Sequence, residues 1–581
     1  MRPVARWAAP VVVVAATLIA FLPVLSNGFI DWDDQANFVT NTAFRGFGWA
    51  QLTWMATTFH LGVYQPLAWL LASAEFAIGG SAPWVYHAGS WLVHAVTAGL
   101  VYGISVILLT PMSSSLNRVR VCAAAAALVF AVHPLRVEAV AWASAQGYPL
   151  AGAFFAASVA AYLRAHGAHA GVGDASRGRW LAASVALGVL ACLAKPIAVT
   201  LPAILLLLDW YPLRRLTRRD GATNHPVSVW IEKLPYAIPA ALVAAAAPLA
   251  RARLGLTGAE PYHPVARAAQ ALYGLAVYPL KTIAPFGLSV FDPLPFEIDP
   301  FEPRFAASAV VVAAVAVGLW IGRRRAPALA AGALAYAILL APVLGLVPQG
   351  NQLTADRYAY FAGAPLALLI GAALLAGWTR VETRRPLLVA GGAAVAGALV
   401  LLGALAWQQA ETWRDAGTLW RHAVSVDPGS FQAHTNLGLH HLNRGAHDDA
   451  LREFDEVLRL NPSSAKGHFN RGLTLVRLGR MDEAIAAYRA GLTINPNDAT
   501  ARAHLAEVLA GRGRFAEAEA EYRSAIALAP HPDLFNGLGI ALAEQGRVAE
   551  AVAAFHEALA RDPRHEDAQA NLETALKERS H

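Results

Sequence analysis

Cysteine is almost missing from this chain: there are two in 581 residues, Cys122 and Cys192, both inside apolar stretches. That excludes a disulfide framework or a thiolate metal site, and the two thiols read as small apolar packing groups. Charge is scarce too, at 15% Asp, Glu, Lys and Arg against roughly 25% in ordinary soluble domains. The net charge of +6 comes from arginine clusters set between apolar runs, not from one basic patch, so nucleic acid is not an indicated partner. No grouping of His, Cys, Asp and Glu has metal-site spacing and no cofactor is expected, while the sequence leaves a metal requirement open, since ligands can come from dispersed loops. What fills the chain instead is apolar: 56% of residues, outside the range of soluble globular proteins. The bias is uneven. Residues 8–407 hold nearly all the long apolar runs, whereas 411–581 read as a soluble helical domain. A boundary near Trp407 to Glu411 gives a membrane part, 1–410, and a soluble part, 411–581.

About 20 apolar residues cross the hydrocarbon core as a helix. Twelve candidates occur, at 8–25, 84–109, 118–133, 148–166, 179–195, 198–212, 234–251, 266–284, 305–322, 326–347, 358–377 and 386–407. The first follows Arg2 and Arg6 like a signal peptide but has no A-x-A site behind it, and reads as an uncleaved anchor. Lys and Arg in short loops mark the cytoplasmic side. The loops at Arg2 to Arg6, Arg118 to Arg120, Arg164 to Arg179, Arg214 to Arg219, Arg323 to Arg325 and Arg380 to Arg385 are therefore expected inside. Three candidates lie between Arg219 and Arg323, where only an even number fits. The run 266–284, interrupted by Pro279 and Lys281, is expected to be re-entrant or interfacial. Eleven spans result, with the N-terminus cytoplasmic and the C-terminus outside. Compact loops and an Ala and Arg bias point to a bacterial inner membrane.

With that orientation the outward loops carry "NGFIDWDDQANFVTN", "HPLRVEAVAWASAQGYP", Lys195 and "NQLTADRY". Asp33 and Asp34 beside Trp32 read either as carboxylates ionised at a water interface or as a solvated turn. His87 and His94 lie two helical turns apart on one face, and His133 and Glu138 flank the third span's outer end. Polar groups at membrane depth serve function or pair across helices. Lys195, Arg136 and Arg357, with Asp356 beside the last, could meet an anionic head group or snorkel to the interface.

The soluble part repeats. Gly438, Ala450, Phe454 and Pro462 recur as Gly472, Ala484, Tyr488 and Pro496, as Ala506, Ala518, Tyr522 and Pro530, and as Gly539, Ala551, Phe555 and Pro563, in steps of 34, 34 and 33 residues. Small residues let paired helices approach, the aromatic fills the gap and Pro ends each second helix: a tetratricopeptide α-solenoid. Its repeats are 429–462, 463–496, 497–530 and 531–563, preceded by a half repeat at Ala416, Trp420 and Pro428 that should hold the array rigidly, and closed by a cap helix, 564–581. Asn436 and Asn470 are one repeat apart, with Asn571 in phase after the fourth. They read as an amide ladder gripping a peptide on the concave face, or as ordinary surface polarity.

The strings "YHAGSWLVHAVTAGLVY", "FAVHPLRVEAVAWAS", "LAKPIAVTLPAILLLLDWYPL" and "ADRYAYFAGAPLAL", in this order and ahead of the repeats, closely resemble the transmembrane and tetratricopeptide repeat (TMTC) proteins over essentially the whole chain. The resemblance implies an all-α fold, a GT-C-like bundle followed by the solenoid. It also implies a GT-C type glycosyltransferase that takes a sugar, in the eukaryotic members mannose, from a polyprenyl-phosphate carrier to Ser or Thr of an extracytoplasmic protein. The family's acidic pair maps onto Asp33 and Asp34, one of which would be the general base. Lys195 and Arg357 would stabilise the leaving phosphate, and Asp356, His133, Arg136, Glu138, His87 and His94 fall in the same expected donor site. The chain departs from the family at Pro196, where Glu is frequent, and at "SAQGYP", residues 144–149, where a basic and an acidic residue are usual. A non-catalytic repeat scaffold, or a transferase acting on a lipid or polysaccharide, is the alternative.

Overall fold

The computed structural model describes residues 3–167, 174–216, 226–253, 263–295, 297–346 and 352–579. Arg2, Arg218 and Arg219 of the basic loops lie outside the described residues. The chain divides into two units, Met1–Leu419 and Trp420–His581. The division falls beyond residue 410 because the half-repeat helix, Ala416–Val426, straddles it.

In the first unit every apolar run forms a helix: Pro3–Ala20, Pro83–Leu109, Leu116–Ala131, Gly147–Ala165, Asp174–Ala194, Leu201–Trp210, Leu234–Arg253, Pro264–Ile283, Pro303–Gly322, Pro327–Leu340, Ala359–Arg380 and Arg385–Thr412. Proline opens several of them, at a position whose N–H has no intrahelical partner to lose. Among the described residues five helices are long and apolar enough to cross a membrane, or up to seven if each of two bent pairs is one span; four more apolar helices are shorter. The chain is an all-α membrane protein with a helical-repeat unit behind the bundle.

Pro264–Ile283 is one continuous helix that runs through Pro279, and the Lys281 ammonium is held 2.8 Å from Asp356 Oδ1. Among the described residues this helix is not one of those long and apolar enough to cross a membrane. One segment departs from the sequence reading: the stretch after the first helix, read as a connection, folds into two helices, Trp49–Thr57 and Pro66–Gly79, within an element bent by 114°. Leu61 (φ 48°) and Gly62 (φ 77°) make the turn between them. Phe38, Phe44, Met55, Trp69 and Tyr86 bury one another beneath it and fasten the loop to the bundle.

The second unit consists of helix pairs Phe431–Asn443 with His447–Leu460, Ala465–Arg477 with Met481–Ile494, Ala499–Gly511 with Phe515–Leu528, and Pro532–Ala543 with Val548–Arg561, then Glu566–Arg579. Ser430, Ser464 and Asp498 cap the first helices, accepting from Ala433 N (3.3 Å), Gly467 N (3.0 Å) and Ala501 N (2.9 Å). Gly445, Gly479, Gly513 and Gly546, with φ between 71° and 76°, turn the chain into the second helices, a conformation that strains residues bearing a Cβ. The third step is one residue shorter, the loss falling after Pro530, where His531 supplies the cap. At Gly539 an added Cβ would run into the Phe555 ring. Gly539→Val is expected to destabilise the array by about 1–3 kcal/mol, read as a lower midpoint in urea. An unchanged midpoint would show that Phe555 has room to yield.

Candidate functional site

The two adjacent carboxylates, Asp33 and Asp34, open a short helical turn that continues as Gln35–Val39. Their environments differ sharply. Asp34 is fully buried: its Oδ2 accepts from Ile30 N at 3.0 Å, and its Oδ1 accepts from Ser144 N at 2.9 Å and from the Ser144 hydroxyl. The Asn37 amide in turn donates to Ser144 Oγ at 2.9 Å. Asp34 therefore ties the loop after the first apolar helix to the segment that follows the third. Burial raises its pKa to about 6, against the lowering effect of the Ser144 and Ile30 bonds. Asp33 is part-exposed, and among the described residues no hydrogen bond reaches its carboxylate. Burial pushes its pKa up as well, while Arg357, Lys195 and His60 pull it down by attraction. A carboxylate with unshared lone pairs, set among cations and open to one side, can take a proton from a hydroxyl.

The cations around it are held in different ways. Arg357 is locked to Glu138: its backbone N donates to Glu138 Oε2 at 2.8 Å and its guanidinium pairs with Glu138 Oε1. It also donates to Gln352 Oε1 at 2.6 Å and lies over the Trp142 and Tyr358 rings. Lys281 is paired with Asp356, so that carboxylate serves to hold a helix. The Lys195 ammonium meets a neutral group, donating to Gln65 Oε1 at 2.9 Å, and lies 5.1 Å from the Tyr148 ring centroid. Trp32 stacks on Trp142 at 5.0 Å, and Trp142 on Trp413 at 5.9 Å. Gly28 N donates to Arg414 O at 2.9 Å, and Asn27 Nδ2 to Ala410 O at 3.3 Å. The loop bearing Asp33 is thus pinned to the end of the last apolar helix.

Four expected head-group residues are sealed in the bundle. His94 bonds Tyr360 OH (2.8 Å) and Ala131 O (2.9 Å) through its two ring nitrogens, and His133 bonds Thr282 O (3.0 Å) and Leu135 N (3.2 Å). His87 reaches Gly28 O at 3.3 Å. Arg136 donates to Ala359 O between the Phe130 and Tyr360 rings. All four are buried, because backbone carbonyls at helix ends demand donors where water is absent. Each has a ring nitrogen or guanidinium engaged with the protein itself, whereas the Lys195 ammonium meets one neutral amide.

An apolar cavity of about 250 Å³ runs between helices, lined among others by Thr97, Leu108, Phe155, Leu207, Leu339 and Leu368, with Gly152, one turn along the helix from Tyr148, and Tyr360, three residues after Arg357, also on its wall. Its lining on the Pro83–Leu109 helix runs from Thr97 to Leu109, a rise of about 18 Å. Its lining is almost wholly apolar, which suits a hydrocarbon chain.

In the repeat unit the three asparagines do not form one ladder. Asn571 Nδ2 donates to Asn536 Oδ1 at 2.9 Å, tying the cap helix to the fourth pair, and Asn436 Oδ1 accepts from Gln432 at 3.4 Å. Asn470 is part-exposed on its first helix, Ala465–Arg477. Gln65, Ser144 and His60 are the site residues that the sequence reading passed over. Each gains its place from a contact far along the chain or from the bent helical element, and Ser144 alone stood in a string already singled out.

The tetratricopeptide repeat family model matches residues 400–465, 447–499 and 504–566. Among curated proteins the chain is similar to protein O-mannosyl-transferase TMTC2 of Homo sapiens, 29% identical over 209 residues covering 35% of this chain and 24% of that protein. Its Mus musculus counterpart is 28% identical over 213 residues, 36% and 24% of the two chains. The match therefore spans about a quarter of the length of these relatives. Among solved structures, YrrB, described as a TPR protein with an unusual peptide-binding site, aligns with a TM-score of 0.25 at 22% identity over 27% of this chain and 80% of its own. TTC0263, a thermophilic TPR protein in Thermus thermophilus, aligns at 0.24 and 25% identity over 30% and 94%.

Proposed function

We propose that this TMTC-like chain is a membrane glycosyltransferase of GT-C type. It would move a sugar, mannose, from a polyprenyl-phosphate carrier to Ser or Thr of an extracytoplasmic protein presented by its repeats. The observation that carries the reading is the split within the acidic pair: Asp34 is anchored by three donors, while Asp33 stands part-open among Lys195 and Arg357. Asp33 takes the proton of the acceptor hydroxyl as its oxygen attacks the anomeric carbon, and the bond from that carbon to the phosphate oxygen breaks. Lys195 and Arg357 hold the phosphate as charge gathers on it. The carrier's hydrocarbon tail enters the apolar cavity. The repeat unit supplies the protein contact, as arrays of this kind offer extended surfaces to partners. A scaffold without catalysis has no need of an open carboxylate facing two cations.

The test is full-length protein in lipid, given radiolabelled polyprenyl-phosphate mannose and extracytoplasmic protein from its own cells. Label should appear on protein and be released by β-elimination. Label confined to lipid or polysaccharide would overturn the acceptor assignment, and no transfer to any acceptor would sink the enzyme reading.

The rate should also report the carboxylates. Asp33 works only when ionised, and burial raises its pKa. Activity is therefore expected to fall as pH drops through an acid limb above the ordinary aspartate value near 3.8, with Asp34, at about 6, titrating beside it as part of one coupled pair. A rate that stays flat from pH 8 to pH 4 would exclude a carboxylate base.

A further inference from the structure

We propose that Gln65 is a positioning residue for Lys195: it fixes the ammonium for the donor phosphate without setting a bonded carboxylate against it. The proposal rests on the donor-phosphate role given to Lys195 above. Gln65 stands at the N-terminal boundary of the Pro66–Gly79 helix, where side chains commonly accept from their own helix; its side chain makes no such bond. Its backbone carbonyl serves that end instead, accepting from Ala68 N and Trp69 N. The amide is thus spared to reach across the bundle, and Gln65 Oε1 accepts a hydrogen bond from Lys195 Nζ at 2.9 Å. Gln65 itself is 9% exposed, so the bond is formed where water competes little.

The packing around the pair permits one arrangement. A Cβ built on Gly147 would lie 3.1 Å from Lys195 Cδ, 3.1 Å from Ala194 O and 3.3 Å from Gln65 Oε1. The lysine stem, the amide and the backbone of the Gly147–Ala165 helix therefore meet at one point, with the Tyr148 ring beneath the ammonium. The chemistry of the partner matters as much as its position. At the neighbouring cations the chain uses carboxylates, Glu138 for Arg357 and Asp356 for Lys281. A carboxylate at position 65 would neutralise Lys195 and compete with the phosphate for it. An amide oxygen orients one N–H and leaves two donors and the full charge for the incoming anion.

The experiment measures binding of farnesyl phosphate, a stand-in for the departing carrier, to the full-length protein, together with kcat and KM for the sugar donor. Gln65→Glu is expected to weaken farnesyl phosphate at least about tenfold. It should raise the donor KM, and Gln65→Leu should act in the same direction to a smaller extent. Both effects should vanish in a Lys195→Met background. If Lys195→Met binds farnesyl phosphate poorly while both Gln65 variants bind like the native protein, the role of Gln65 fails and the reading of the site stands. If Lys195→Met binds like the native protein, the site reading fails and takes this proposal with it. Losses of equal size with and without Lys195 would also overturn it, because Gln65 would then act through folding.

Discussion

Asp33→Asn is expected to lower sugar transfer by about 10²- to 10⁴-fold, the usual contribution of a positioned general base, while the protein keeps its thermal stability. The substitution preserves shape and removes basicity alone. Among the described residues the Asp33 carboxylate accepts no hydrogen bond, so no partner is lost when one oxygen becomes an amide. The neighbouring Asp34→Asn differs in kind. Both Asp34 oxygens accept from N–H or O–H donors, at Ile30 and Ser144. An amide turned either way sets a donor against a donor in a fully buried place. It should loosen the loop between Ile30 and Asn37 and expose it to protease, losing activity by a structural route. Activity and proteolysis measured on both variants separate the two roles. Full activity in Asp33→Asn would remove Asp33 as the base, and an intact, protected loop in Asp34→Asn would remove the anchor.

The second large effect falls on Glu138. Its carboxylate, 4% exposed, is the counter-charge to the Arg357 guanidinium, and it accepts from the Arg357 backbone as well. Glu138→Ala would strand a buried cation, and breaking a buried pair from one side costs about 3–5 kcal/mol. Thermal unfolding in detergent should show a large drop in Tm. Glu138→Gln, which can still accept from the backbone N–H, should lose less. Transfer should fall in both, because Arg357 lies over Trp142 in the orientation that the pair enforces. A Tm within a degree of the native value for Glu138→Ala would mean that Arg357 escapes to water when its partner is removed.

How far the sequence reveals such a site depends on the range of the interactions that build it. Periodic features are local and legible. All twelve apolar runs become helices, and the Gly and aromatic spacing of the repeats is the contact of Gly438 with Phe454 and of Gly472 with Tyr488. The seven-residue spacing of His87 and His94 does place both inside one helix, yet their partners, Gly28 O and Tyr360 OH, come from elsewhere in the chain. The same holds for Arg357 with Glu138, 219 residues apart, and for Ser144 with Asp34, 110 apart. No period encodes those meetings. The helices at Trp49–Thr57 and Pro66–Gly79 escaped notice because "TTFHLGVYQP" breaks the apolar run between them, and Gln65 sits in that break. Asn571 shares the repeat phase of Asn436, but its amide is spent on Asn536, since the closing helix of an array has a neighbour on one side only.

The bonds from Gly28 to Arg414 and from Asn27 to Ala410, with the tryptophan stack ending on Trp413, join the beginning of the chain to a point 386 residues later. On a ribosome that interval is a delay. At about 5–20 residues per second, the loop bearing Asp33 waits roughly half a minute after leaving the tunnel before its last supports are made. A chain stopped short of residue 410 lacks them, so the centre is completed only when the whole bundle exists and the first repeat helix is about to follow. The setting of Asp33 is in this way a late event in the life of each molecule, finished as the repeat helices begin to be made.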